Sequence, residues 1–514
     1  MTSRILGLVR DQVLTFYFGA SAGPEMDAYR VGFKIPNLFR DLFAEGAMSA
    51  AFVPTFTRHV AESGKASGFR LGSNVITTLL VVTGVLVLLG ILFADPLVTF
   101  LAKDYGLVPG KLELTVTLAR IMLPTLTLVA LAAAVMGMLN SLRHFFIPAL
   151  APAMFNVVTI VCAVVFVPLA PTLGIDRPIV IIAVATVLGG LAQLALQWPT
   201  LRREGFHYKP VLDWTDPGLR RVLLLMGPGT IGLAATQLNL LVNMYLATRQ
   251  EEGAVTWLDL AFRLMYLPIG LFGVSIATAV LPAVSRHVVA RDIAATRTTI
   301  ADGLSLMLTL NVPATVGLVV LAVPIVRVIF EHGEFLPVDT LATAAALQFY
   351  AIGLVGYSIV RIASPTFYAL GKNRIPVIVS MVTVVVNAIL NITLVRVMGF
   401  AGLALGTSLA AIFNGIVLMV LLHRNLGGVH EGRILASFLR IGVASAVMGA
   451  AALAADVWLA GLLPGDAIAV QIVRVVATIG FAVVVLTGAA WALRIRELHE
   501  AMGVVLRRVR RGRR

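Results

Sequence analysis

The chain has 514 residues and a mass of 54.7 kDa; 59% are hydrophobic, 13% are charged, and the mean hydropathy is +0.94. Soluble domains carry about 25% charged residues, so a water-soluble globule and a disordered chain are both excluded, and long unbroken apolar runs exclude a barrel of alternating strands. The net charge of +14 and pI near 10.5 would point to nucleic acid in a soluble chain. Here Lys and Arg that retain helix ends on the cytoplasmic side account for it, and no nucleic-acid partner is expected. The single cysteine, Cys162, leaves no disulfide framework and no Cys-based metal site. Arg10 and Asp11 interrupt the first apolar stretch, so no cleavable signal peptide is read there.

A spanning helix needs roughly 20 mostly apolar residues. Fourteen candidate spans follow in chain order: 4–19, 28–57, 73–94, 114–140, 146–170, 178–199, 222–248, 254–284, 301–326, 340–370, 375–395, 401–422, 436–462 and 468–493. The first is short; the second is long, charged and interrupted by Pro36. Loops after even-numbered spans, with the tail, hold 24 Lys and Arg, against 6 in loops after odd-numbered spans. That alternation predicts an all-α, multi-pass protein of the cytoplasmic membrane with both termini inside.

The longest polar loop, 200–221, divides six spans from eight. The expected organisation is an N-terminal lobe over 1–200, a C-terminal lobe over 201–425, two further spans within 426–495, and a basic cytoplasmic tail over 496–514. Pro54-Thr-Phe-Thr-Arg-His-Val60 and Pro282-Ala-Val-Ser-Arg-His-Val288 echo one another at the ends of the second and eighth spans. Such an echo between spans of the same direction fits two parallel six-helix repeats, with a binding site between them near the midplane.

An Arg, Lys or Asp near the bilayer centre costs roughly 2.5–3.5 kcal/mol on insertion scales. The second span, counted with Asp27 immediately ahead of it, carries six ionisable groups. Taking Arg30 as zero at about 100° per residue, Asp27 falls near 60°, Lys34 near 40°, Asp41 near 20° and Glu45 near 60°, while Arg40 stands apart near 280°. One helix contact cannot pair six charges, which favours the wall of a water-filled cavity. In the eighth span Thr256, Asp259, Arg263 and Tyr266 share a face; in the tenth, Tyr350, Tyr357, Arg361, Ser364 and Tyr368 do; the first carries Arg10 beside Asp11. Guanidinium forks match phosphate, so an anionic head bearing phosphate or pyrophosphate is the expected ligand.

Gln237, Asn239 and Asn243 in the seventh span, Asn387 and Asn391 in the eleventh and Thr407 in the twelfth read as interhelical hydrogen-bonding groups. No carboxylate lies among them, which argues against a Na⁺ site. Gly402-Leu-Ala-Leu-Gly406 reads as a helix-packing motif. There is no HExxH, GxxxxGK[ST] or CxxC pattern. No catalytic residue, metal site or cofactor is therefore expected, and a membrane potential or ion gradient is the expected driver.

The stretches Ser3-Arg-Ile-Leu-Gly-Leu-Val-Arg-Asp11, Phe18-Gly19, Asp27, the run from Phe33 through Pro54, Arg263-Leu-Met-Tyr-Leu-Pro-Ile-Gly-Leu-Phe-Gly, Leu281-Pro-Ala-Val-Ser285, Phe330-Glu-His-Gly-Glu-Phe335 and Pro365-Thr-Phe-Tyr-Ala-Leu-Gly371 stand out along the chain. Together they resemble the MurJ/MviN lipid II flippases. The resemblance implies the multidrug/oligosaccharidyl-lipid/polysaccharide exporter fold and movement of the undecaprenyl-pyrophosphate-linked peptidoglycan precursor across the membrane. It implies roles for Arg4, Arg10, Arg40 and Arg263, with Asp11, Asp27 and Glu45 as acidic companions and Asp259 standing in for an acid that relatives carry beside Arg263. Arg30 and Lys34 are expected to add positive potential. It also implies a lipid-tail groove formed by the last two spans, peptidoglycan-synthesis enzymes as partners, and further residues ahead of Ser3, so that the first helix is expected to be truncated. The alternatives are an exporter of another lipid-linked oligosaccharide and a non-transporting cell-wall scaffold.

Overall fold

A computed structural model describes residues 2–41, 47–465 and 467–495. Glu45 and the basic tail lie outside the described residues. Every regular element among the described residues is helical. Among the described residues nine helices are long and apolar enough to cross a membrane, or ten when one bent pair counts as a single span. The chain divides by packing into two compact units, Met1–Thr256 with His332–Leu336, and Trp257–Glu331 with Pro337–Arg514.

The first unit contains α1 (Thr2–Phe18), α2 (Glu25–Arg40), α3 (Ala47–Leu92), α4 (Ala94–Leu101), α5 (Lys111–Met122), α6 (Thr125–Ser141), α7 (Phe146–Phe166), α8 (Ile179–Arg203) and α9 (Pro217–Ala247), and the start of α10 (Ala254–Pro268). α3 is two helices joined at a kink, where Gly64 has φ 79° and ψ 168°, a conformation open essentially to glycine. The end of the second expected span thus turns directly into the third. Leu14, Met26, Tyr29, Leu118, Met122 and Ile182 form a core that binds α1, α2, α5 and α8, and the Tyr29 hydroxyl lies 3.1 Å from Thr186 Oγ1.

The loop at 332–336 packs on the end of α1, where the Glu334 N–H donates to Phe16 O at 3.0 Å. Gly333 has φ 63°, and a Cβ there would lie 2.1 Å from that carbonyl. The Phe330-Glu-His-Gly-Glu-Phe335 sequence therefore serves a backbone-to-backbone contact that only glycine permits.

Glu204 closes α8. It accepts from Lys65 Nζ at 2.9 Å and lies 2.8 Å from His144 Nε2. The hydrogen bonds from Lys65 and His144 hold its carboxyl below the ordinary glutamate range. The unfolded chain then binds the proton more tightly, so this stabilisation is present at neutral pH and lost as pH falls through the depressed pKa. Thermal melts should show an acid-side drop in Tm that shrinks in Glu204→Gln; an identical drop in both proteins contradicts the assignment.

The second unit holds the rest of α10, a π turn at Ile269–Gly273, and α11 (Val274–Val289), α12 (Ile293–Val320), α13 (Ala322–Phe330), α14 (Pro337–Ile352), α15 (Leu354–Ala369), α16 (Arg374–Met398), α17 (Phe400–Leu426), α18 (Glu431–Leu462) and α19 (Ile468–Ala492). The tenth expected span is the pair α14 and α15, bent by 41°. Val284, Leu304, Met307, Ile362, Phe367 and Leu418 knit α11, α12, α15 and α17. α18 and α19 attach to α12 through Leu308, Ile441, Ala444 and Ala490 and leave most of α19 exposed.

Gly402 and Gly406 bring α17 against α16. A Cβ at Gly402 would fall 2.4 Å from Leu394 O, and one at Gly406 2.1 Å from Asn391 Oδ1. Close backbone approach of this kind packs helices in lipid, where burial gives no driving force. Gly402→Val must push two backbones apart, an overpacking cost of about 1–3 kcal/mol. Its Tm in detergent should fall accordingly; an unchanged Tm would show that the contact yields freely.

Candidate functional site

In α1, Arg10 and Asp11 are both buried, and Arg10 Nη2 contacts Asp11 Oδ1 at 3.0 Å. The Arg10 guanidinium also sits 5.8 Å from the centre of the Phe155 ring on α7, close enough for a cation–π contribution. Thr15 donates to Asp11 O at 2.9 Å. Arg4, two turns earlier, is exposed.

The charges of α2 do not share one environment. Arg30 and Lys34 are half-buried. Asp27 is only 1% exposed. Its Oδ1 accepts from the Thr256 N–H at 3.0 Å and the Thr256 hydroxyl at 2.7 Å, and its Oδ2 accepts from the Gly253 N–H at 3.0 Å. These donors open α10, and free N–H groups at a helix start attract a carboxylate. Asp27 thus caps from α2 the helix that carries Arg263.

A second charge completes the arrangement. Lys111, at the start of α5, is buried and places Nζ 3.4 Å from both Asp27 Oδ2 and Glu252 Oε1. Its ammonium lies 4.3 Å from the Tyr105 ring centre. Burial, followed by the nearby charges of Asp27 and Glu252, pushes the Tyr105 phenol well above its ordinary range. The sequence puts Lys111 in the loop between the third and fourth expected spans and gives it no role. The available signal was its position: a lysine in an odd-numbered loop runs against the charge bias and calls for a carboxylate.

At the end of α2, Arg40 grips its neighbour Asp41 with Nη2–Oδ1 at 2.9 Å and Nε–Oδ1 at 3.1 Å. Asp41 Oδ2 also accepts from Gln237 of α9 at 3.2 Å. Gln237 therefore makes the interhelical bond expected of it. Asn391 and Asn387 differ from that expectation: Asn391 donates to Asn387 at 3.0 Å within α16, one turn apart, and both are buried.

In the second unit, Arg263 and Asp259 form a half-exposed pair at 3.9 Å, one turn apart on α10. One turn on, Tyr266 accepts a hydrogen bond from Arg361 of α15. Phe262 stacks on Tyr266 and meets Tyr350 of α14 edge-on at 5.4 Å. The stripes expected on the eighth and tenth spans thus meet, and Arg361 turns toward a tyrosine of the same unit. Trp257 was not anticipated. Its indole N–H donates to fully buried Asp339 at 2.8 Å, and its ring lies 5.1 Å from Phe400.

The fold matches an inward-facing multidrug resistance MATE family transporter of the MOP superfamily at TM-score 0.69 and 15% identity, covering 84% of this chain and 96% of that one. The architecture is that of a multi-pass helical membrane protein. A family model for the lipid II flippase MurJ matches residues 14–470. A probable lipid II flippase MurJ of Bdellovibrio bacteriovorus is 35% identical over 501 residues, 96% of this chain and 92% of that one. The lipid II flippase MurJ of Burkholderia cenocepacia is 34% identical over 424 residues, 82% and 81% of the two chains. A solved lipid II flippase MurJ in an inward closed conformation aligns at TM-score 0.77 and 27% identity, over 96% of this chain and 97% of that one. The chain belongs to the MurJ lipid II flippase family.

Proposed function

We propose that this protein moves lipid II from the inner to the outer leaflet of the bacterial cytoplasmic membrane by alternating access, with both termini inside. Family membership over nearly the whole chain carries the reading. The chemistry of the half-buried groups supports it. Arg10, Arg40 and Arg263 bind the pyrophosphate, while Arg4, Arg30 and Lys34 raise the positive potential on its approach. Each of the three arginines stands beside its own carboxylate, at Asp11, Asp41 and Asp259. Exchange of carboxylate for phosphate binds the head, and the reverse exchange releases it. Hydrogen bonds to charged groups contribute about 1.5–3 kcal/mol each, enough for two or three to hold a pyrophosphate reversibly. A membrane potential contributes about 2.3 kcal/mol per charge per 100 mV and drives an anionic head outward. The apolar faces of α18 and α19 receive the lipid tail.

The test is ligand choice. Purified protein in lipid nanodiscs should bind an undecaprenyl-pyrophosphate lipid and lose it to added pyrophosphate, with no displacement by a hydrophobic cation. Displacement by the cation instead would place the protein with drug exporters of the same fold.

A further inference from the structure

Lys103 and Arg249 are among the six basic residues of the odd-numbered loops. Lys111 is buried against Asp27, Arg177 donates to Gly110 O and Arg327 pairs with Glu331. Lys103 and Arg249 instead share one open notch of about 620 Å³ in the first unit, and neither makes an ion pair among the described residues.

The notch is built from two helix ends. The Thr248 hydroxyl, at the end of α9, donates to Leu101 O at the end of α4, at 2.9 Å and buried. This bond fixes Arg249 and Lys103 on adjoining ends. The Arg249 guanidinium lies 4.0 Å from the Tyr245 ring centre, and Tyr245 faces Phe100 at 6.1 Å. Phe100 is 71% exposed. A helix C-terminus favours one cation by its dipole; it does not call for a tyrosine beneath that cation or a phenylalanine directed outward. Two cations, an aromatic ring against one of them and an exposed apolar side chain beside that ring form the profile of a site for a lipid headgroup and its acyl chain. Asp95 is the carboxylate on the wall. Two cations and one anion leave a net single positive charge, which matches a phosphodiester.

We infer that this notch holds the phosphodiester headgroup of an anionic membrane phospholipid, with Lys103 and Arg249 on the phosphate and Phe100 against the chain. Its leaflet, the outer one, rests on the topology proposed above; its occupancy does not depend on lipid II movement.

The experiment uses the full chain in nanodiscs of phosphatidylcholine alone or mixed equally with phosphatidylglycerol, with lipid retained after delipidation measured by native mass spectrometry. At ~1 kcal/mol per unit of basic charge near a surface, the net single positive charge should favour phosphatidylglycerol over phosphatidylcholine by roughly fivefold. Lys103→Gln with Arg249→Gln should abolish that preference, and Asp95→Asn should increase it. Arg396→Gln, which removes an exposed charge in the last turn of α16, should leave it intact. The double variant should keep its Tm in phosphatidylcholine, which separates lost binding from lost folding. Equal preference in wild type and double variant overturns the inference. So does displacement of the retained lipid by millimolar inorganic phosphate, which would mark a site for soluble anions. Loss of lipid II flux with lipid preference intact would count against the proposed function and leave this site standing.

Discussion

Replacing Asp27 with Leu will abolish lipid II flipping and lower the Tm of the purified protein. The substitution removes the acceptor for two N–H groups and a hydroxyl at the start of α10. It also leaves Lys111 buried with Glu252 as its remaining acidic neighbour. Breaking a buried ion pair from one side costs about 3–5 kcal/mol, because the other charge stays in place. Asp27→Asn should be milder, since its amide oxygen still accepts from the backbone. Adding Lys111→Met to Asp27→Asn should recover part of the lost Tm, as the stranded ammonium is gone. A Tm for Asp27→Leu within a degree of wild type would show that the capping carries little of the fold's stability.

Arg263→Ala should insert and fold normally and move no lipid II. Arg263 is half-exposed and meets Asp259 at 3.9 Å, a distance typical of a screened pair of small net stability. Its loss therefore costs the fold little. It costs the ligand one or two charge-assisted bonds, about 1.5–3 kcal/mol each, or roughly a ten- to hundredfold weaker hold on the pyrophosphate per bond. Arg263→Lys should restore charge without the bidentate fork and recover only part of the flux. Full flux in Arg263→Ala would remove this residue from the binding role.

Much of this was legible from residue patterns. Apolar runs and basic loops gave a helical membrane protein, and the Ser3–Asp11 and Phe33–Pro54 stretches pointed to the family. The helix breaks were less legible. Hydropathy does not distinguish a straight span from one bent at Gly353, and it runs through Gly64 without a mark. The α2 stripe shows the limit of helical angles. Asp27 and Arg30 lie about 60° apart, yet one is wholly buried and the other is not. What separates them is the end of another helix, more than two hundred residues on, and periodicity carries no information about that. Asp339 and Trp257 were missed for the same reason: each reads alone as an ordinary residue at a helix start.

The central claim is tested most directly in cells depleted of their own lipid II flippase. Lipid II accessible from outside the cell would be quantified after expression of this chain or of Arg263→Ala, with membrane insertion of both confirmed. The account predicts recovery with the unaltered chain and none with the variant. No recovery with the unaltered chain, correctly inserted, would contradict it and move the assignment to a different lipid-linked substrate.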